Sequence, residues 1–228
     1  MSDKLPEMPP PTSVWKLYRA MVGVGIGCAL AIVTVYQVTK PIIAKNRAIA
    51  LNKAIFKVLP AAESQRPFIA VEGRLVPAEG NEPDQVYAAY GADGRLVGVA
   101  LQAAGMGYQD TIKVLYGYDP AKEQIVGFYV LASLETPGLG DRIEKDPVFL
   151  ANFDALDVAL DAAGKPKHPI VAVKEGEKSH PWEVDGMSGA TVSSVAVADL
   201  LRKSSETWPA LIQANLDALN EEAPHGDQ

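Results

Sequence analysis

The 228-residue chain is 48% hydrophobic but only 7% aromatic, and its 28 acidic and 21 basic residues give a formal net charge of −7. That length allows one or two domains, and the single cysteine, Cys28, excludes an internal disulfide and any Cys-Cys zinc or iron–sulfur motif. The charge is uneven, with eight Lys/Arg and two acids in residues 1–60 against 13 basic and 26 acidic residues in 61–228, so the body would repel the phosphates of nucleic acid.

The chain opens on a proline-rich stretch, LPEMPPP, expected to be disordered over residues 1–14, as is the polar tail 221–228. Residues 20–39 then carry no charge, enough for a helix of about 30 Å. Trp15, Tyr18 and Tyr36 stand near its ends, where an aromatic belt lies. A cleaved signal peptide would be shorter and followed by a small-x-small site; Lys40-Pro41-Ile42-Ile43 follows instead, so 15–39 reads as an uncleaved membrane anchor. Gly23, Gly25 and Gly27 lie inside it with no preceding strand, which rules out a nucleotide fingerprint and favours close packing against another membrane helix. Positive residues flank both ends, and counting them leans slightly toward a cytoplasmic body.

Residues 40–59 begin with a proline suited to a first helical turn and set Ile42, Ile49 and Phe56 on one stripe opposite Lys45, Asn52 and Lys53, predicting an amphipathic connecting helix. Pro60 marks a boundary. The expected hairpins pair 87–90 with 96–101 across GADGR, and 111–118 with 124–131 across DPAKE. A short strand is predicted at 170–173, with helices at 147–163 and 195–219. This mixture predicts one α+β domain over residues 60–220. His168, His180 and His225 are far apart in polar segments and read as exposed bystanders rather than metal ligands.

Two connectors are rich in glycine, AGMGYQ at 104–109 and ETPGLGD at 135–141. Turn formation accounts equally well for the first; the second builds a particular loop that exposes backbone amides. The stretch DGMSGATVSS at 185–194 stands directly before the last predicted helix, where free N–H groups and the helix dipole favour an anion. Thr191 or Ser193 would also serve as a plain N-cap. A catalytic serine is not supported, since the context is M-S-G rather than G-x-S-x-G and no histidine is placed as base.

The run Asp185, Ser188, Gly189, Ala190 and Thr191 is similar to the D-x-x-S-G-A-T motif of proteins that carry FMN covalently on the threonine. The chain from about Trp15 to Leu219 resembles the G subunit of the Rnf ion-translocating electron-transport complex, with one span, a connector, ETPGLGD(R)I and SGATxSS in the same order. The C subunit of the sodium-translocating NADH:quinone reductase shares SGAT, but the shorter chain and Asp141-Arg142-Ile143 look more like Rnf.

The resemblance implies FMN esterified to Thr191 by a magnesium-dependent flavin transferase, with Ser188, Gly189 and Ala190 around the phosphate. It sets Thr136, Gly138 and Leu139, with Gly107 and Tyr108, near the ring or ribityl chain. It implies a non-autonomous electron-carrying subunit among other membrane and peripheral subunits, in a bacterial inner membrane, with the flavin domain on the periplasmic side. Asp185 would either present the motif to the transferase or cap a turn. The rival reading is a membrane-anchored binding or sensory module without redox role, in which SGAT only caps a helix.

Overall fold

The computed structural model describes residues 14–78, 80, 82 and 84–221; the termini expected to be disordered lie outside the described residues except at their inner edges. The chain divides into two compact units, Met1–Ile49 and Ala50–Gln228. Helix α1 (Val14–Val58) runs through the first unit into the second and is long and apolar enough to cross a membrane. Pro41, expected to open a separate connecting helix, lies inside α1, so the predicted anchor and connector are one helix.

The second unit is built on a seven-stranded sheet. Its strands are β1 (Ser64–Val71), β2 (Arg74–Pro77), β3 (Val86–Tyr90), β4 (Leu96–Met106), β5 (Thr111–Asp119), β6 (Gln124–Ala132) and β7 (Leu156–Asp157), in the order β2-β1-β3-β4-β5-β6-β7. Every neighbouring pair is antiparallel. Strands β8 (Val171–Val173) and β9 (Glu183–Asp185) form a separate parallel pair. Both expected hairpins are present.

The sheet is covered on both faces, which β3 shows best: all five of its residues are buried. Val86, Ala88 and Tyr90 join one core with Val197, Leu200 and Leu201 of α3 (Thr191–Ser205), while Tyr87 and Ala89 join a second core with Ala54, Ile55, Val58 and Leu59. Successive strand side chains alternate between faces, so each core draws on every other residue. The buried side of the end of α1 is therefore Ala54, Ile55 and Val58, while Ile42, Ile49 and Phe56, the apolar stripe read from the sequence, are exposed.

Three glycines seat that helix end. An added Cβ would come within 2.8 Å of Leu59 Cδ2 at Gly98 and 2.7 Å of the Val58 carbonyl oxygen at Gly117, and at Gly127 it would lie 2.7 Å from Val58 Cα. None of the three has positive φ, so each is glycine for space rather than for a turn. On the other face Gly105 of β4 does the same for α3, since a Cβ there would lie 3.0 Å from Leu200 Cβ.

The structure departs from the sequence expectation at two helices. The predicted helix 147–163 is α2 (Pro147–Leu150) followed by a single 3-10 turn, Ala151–Phe153, and then β7. Asn152 ends it: its amide donates to Phe149 O (3.0 Å) and Asp185 O (3.1 Å), and its oxygen accepts from Asp185 N (2.9 Å). The apolar residues still face inward, with Phe128 stacked on Phe153 at 4.2 Å between ring centroids. The predicted helix 195–219 starts earlier, at Thr191, and is three helices: α3, α4 (Trp208–Ala214) and α5 (Leu216–Glu221). Pro209 in the first turn of α4 separates it from α3. Asn215 closes α4 by donating to Leu211 O (2.8 Å) and Gly73 O (3.2 Å).

Candidate functional site

Strand β9 delivers the chain into the turn that precedes α3. Asp185 Oδ1 accepts from Gly176 N at 2.7 Å, so Asp185 caps the turn between β8 and β9. In that same turn Glu175 reaches across and accepts from Ser188 N at 2.9 Å. Gly189 has φ +82°, the left-handed conformation that glycine alone adopts cheaply. Ala190 N then donates to Met187 O at 3.1 Å, and the helix begins.

The cap expected from Thr191 or Ser193 is not made. Ala190 occupies the N-cap position without a side chain able to accept, Thr191 is the first helical residue and Ser193 the third. The first bond of the helix is Ser194 N to Ala190 O at 2.9 Å. The amides of Thr191, Val192 and Ser193 have no acceptor among the described residues. Thr191 is exposed, and its hydroxyl makes one long bond, to Met187 O at 3.3 Å. An available hydroxyl thus stands beside three free N–H groups at the positive end of a 15-residue helix.

The ETPGLGD loop meets this turn. A Cβ on Gly189 would lie 3.9 Å from Leu139 Cδ2, in ordinary contact. Leu139 is 52% exposed and Thr136 is half-buried, its carbonyl accepting from Leu139 N at 3.1 Å. Gly138, at φ +79°, donates to Asp141 Oδ1 at 2.6 Å. Arg142 ties the loops together: Nη1 donates to Ser188 O at 2.9 Å and Nη2 to Asp146 Oδ2 at 2.7 Å, while Asp146 Oδ1 caps α2 by accepting from Val148 N at 3.0 Å.

Three carboxyls around this site are held below the usual carboxylate range: Asp141 by its bond from Lys145, Asp146 by Arg142, and Glu175 by Ser188. A depressed folded-state pKa stabilises the fold above the unfolded-state value and loses that contribution as pH falls through the folded one. The melting temperature should therefore be flat above about pH 5 and fall below about pH 4, and Asp146→Asn should flatten the fall. An equally steep fall in Asp146→Asn, followed by thermal melts across pH, would remove Asp146 from this account.

The β4–β5 hairpin closes with Gly107 N donating to Asp110 O at 2.9 Å. Tyr108 at its tip is 69% exposed. Gln109 N donates to Glu135 Oε1 at 3.0 Å, and Ser193 Oγ donates to Glu135 Oε2 in a short bond. The structure thus brings Gly107, Gly138, Leu139, Ser188, Gly189 and Thr191 onto three connected segments, with Tyr108 and Thr136 on the same loops. The sequence reading gave no task to Glu135, Arg142 or Glu175 and saw Ser193 only as a possible cap. No pattern in the sequence points to them; in the structure their trace is Gly107 and Gly140, which carry no positive φ and are glycine for space. Away from this site, His168 and His180 are exposed, as expected, and both stack on Trp182, at 3.8 and 4.5 Å between centroids; His225 lies outside the described residues.

Residues 107–206, which contain all three segments, match the FMN-binding domain family. The chain is 32% identical over 201 residues to the G subunit of the ion-translocating oxidoreductase complex of Pseudomonas aeruginosa, covering 84% of each. It belongs to the G-subunit family of ion-translocating oxidoreductase complexes. The family member from Methanosarcina acetivorans is 29% identical over 191 residues, covering 84% of this chain and 92% of that one. The fold agrees with two crystal structures. NqrC of Shewanella oneidensis has a TM-score of 0.54 at 19% identity, covering 79% of this chain and 98% of that one. The C subunit of the Na(+)-translocating NADH-quinone reductase of Parabacteroides distasonis has a TM-score of 0.58 at 22% identity, covering 73% and 94%. The α+β body and N-terminal apolar helix expected of the G-subunit family are both present here. The donor set fits FMN: three free amides and a helix N-terminus for a phosphate, with exposed Leu139 against the turn and exposed Tyr108 on the hairpin tied to the same loop through Gln109 for an apolar ring.

Proposed function

We propose that this chain is a membrane-anchored electron carrier of an ion-translocating oxidoreductase complex of the Rnf type, holding FMN as a phosphoester on Thr191. The observation that carries the reading is Thr191 itself, exposed, free of any capping duty and beside the unpartnered amides of α3 within the FMN-binding domain. Bound FMN supplies acceptance and release of electrons singly or in pairs.

Each residue then has a task. Thr191 Oγ forms the P–O bond as the pyrophosphate of FAD breaks; AMP leaves, and the hydroxyl proton goes to a base on a magnesium-dependent flavin transferase, because among the described residues the Thr191 hydroxyl bonds only the Met187 carbonyl. The amides of Thr191, Val192 and Ser193 hold the phosphate oxygens. Gly189 and Ala190 keep side chains out of that approach, and Ser188 is held by Arg142 and Glu175 so that the turn stays open. Thr136, Gly138, Leu139, Gly107 and Tyr108 border the ring and ribityl chain. The anchor 15–39 keeps the body beside other membrane and peripheral subunits. We place it as a single pass in a bacterial inner membrane, with the acidic body on the periplasmic side, where a covalent link prevents loss of the cofactor. The connecting segment 40–59 continues the anchor into the flavin domain, 60–220.

The test is the intact mass of the full chain produced with and without an active flavin transferase. A gain of one FMN less one water, only when the transferase is present, is the expected result. An unmodified mass beside a transferase that flavinylates another acceptor returns the chain to the non-redox binding module.

A further inference from the structure

Glu135 is 5% exposed, and no cation pairs with it among the described residues. Its carboxylate is met instead by two donors from different parts of the chain, Gln109 N in the β4–β5 hairpin and Ser193 Oγ in the first turn of α3. Two glycines make room for it. A Cβ on Gly107 would strike Glu135 Oε1 and lie 2.7 Å from Ile112 Cδ1; one on Gly140 would lie 2.8 Å from Glu135 Cβ and 2.9 Å from Ser193 Oγ. Neither glycine has positive φ, so both are glycine for space: Gly107 for Glu135 and Ile112, Gly140 for Glu135 and Ser193. Burying a carboxylate is costly, and an apolar side chain would fill the same volume at less cost. What the carboxylate adds is two directed bonds that fix three segments against one another, and those segments are the ones that converge on Thr191.

We infer that Glu135 is a positioning residue: it clamps the first turn of α3, the ETPGLGD loop and the tip of the β4–β5 hairpin into one site before any flavin is attached. Ser193 lies two residues after Thr191, so the bond to Glu135 fixes the helix turn that presents the reacting hydroxyl. The inference rests on the flavin reading of Thr191, but the clamp exists without the flavin and is measurable without it.

The experiment uses the full-length chain in detergent as wild type, Glu135→Ala, Glu135→Gln and Ser193→Ala, each produced without and with the transferase. Glutamine keeps the geometry and removes the charge: its carbonyl accepts from Gln109 N, and its NH2 donates to Ser193 Oγ, whose hydroxyl turns to accept. Without transferase, exchange of the bonded amides of Gly107, Gln109, Ala190 and Ser194 should be about tenfold faster in Glu135→Ala, while the hairpin 86–101 keeps its protection and Glu135→Gln stays near wild type. With transferase, the rate of FMN attachment should fall about tenfold in Glu135→Ala, less in Ser193→Ala, and recover in Glu135→Gln. Unchanged exchange and attachment in Glu135→Ala overturn the clamp, as does a Glu135→Gln protein as impaired as the alanine variant. If wild type gains no flavin, the flavin reading fails, and the exchange comparison alone decides the clamp. If Glu135→Ala does not fold, Ser193→Ala, which removes only one hydroxyl, carries the same comparison.

Discussion

The Thr191→Ala chain, produced beside an active transferase, stays colourless and keeps its unmodified mass while melting where the wild type melts. The chemistry loses everything because the ester has no other oxygen at that place. Ser193 and Ser194 are buried, with their hydroxyls engaged to Glu135 and to Ala190 O. The fold loses little because the Thr191 hydroxyl makes only the 3.3 Å bond to Met187 O. A bond that long on an exposed side chain is worth no more than about 0.5 kcal/mol, and alanine is the better helix former. The melting temperature should therefore stay within about 2 °C. Thr191→Ser keeps the oxygen and should recover attachment in part. Wild-type mass gain in Thr191→Ala would move the ester to another hydroxyl, of which exposed Ser188 is the first candidate.

Gly127→Ala should be the most damaging single methyl in the body. The new Cβ falls on the backbone of Val58, 2.7 Å from Cα and 2.8 Å from the carbonyl carbon, where no rotamer change gives relief. Overpacking of this kind costs about 3 kcal/mol, which lowers the melting temperature by about 6–12 °C in a chain of this size. The damage should be local to the end of α1: Ile55 and Leu59, both within 1% of full burial, lift from Tyr87 and Leu115, while the α3 face keeps its packing. Thermal melts measure the first expectation and amide exchange over 54–62 the second. A melting temperature within about 2 °C of wild type would mean that the helix end yields freely.

Strands with clear turn chemistry between them were legible from sequence, as GADGR and DPAKE show. The β1–β2 hairpin was not, because its turn is Glu72-Gly73, both at positive φ, and glutamate is not a residue that announces such a turn. The helix over 147–163 was misread because Phe149, Phe153 and Leu156 repeat at helical spacing, while the bonds that end the helix come from Asp185, 33 residues away. At the site, SGAT was legible as a motif and Thr191 as its centre. The partner residues were not, since Glu135 meets Ser193 across 58 positions of sequence and Arg142 meets Ser188 across 46. Long-range polar pairing leaves no periodicity to read. Only the structure shows its trace, in glycines at 107 and 140 that no positive φ requires.

The seat formed by Gly98, Gly117 and Gly127 bears on how this protein can be cut. A fragment beginning at Pro60, where composition changes, would strip Ala54, Ile55, Val58 and Leu59 from the sheet and leave Tyr87, Ala89, Ala100 and Leu115 facing water. Such a fragment presents a sticky apolar wall and should self-associate. One beginning at Ala50, where the compact unit starts, takes its own lid along and should stay dispersed. The last turns of the apolar helix are, in this sense, the property of the second unit.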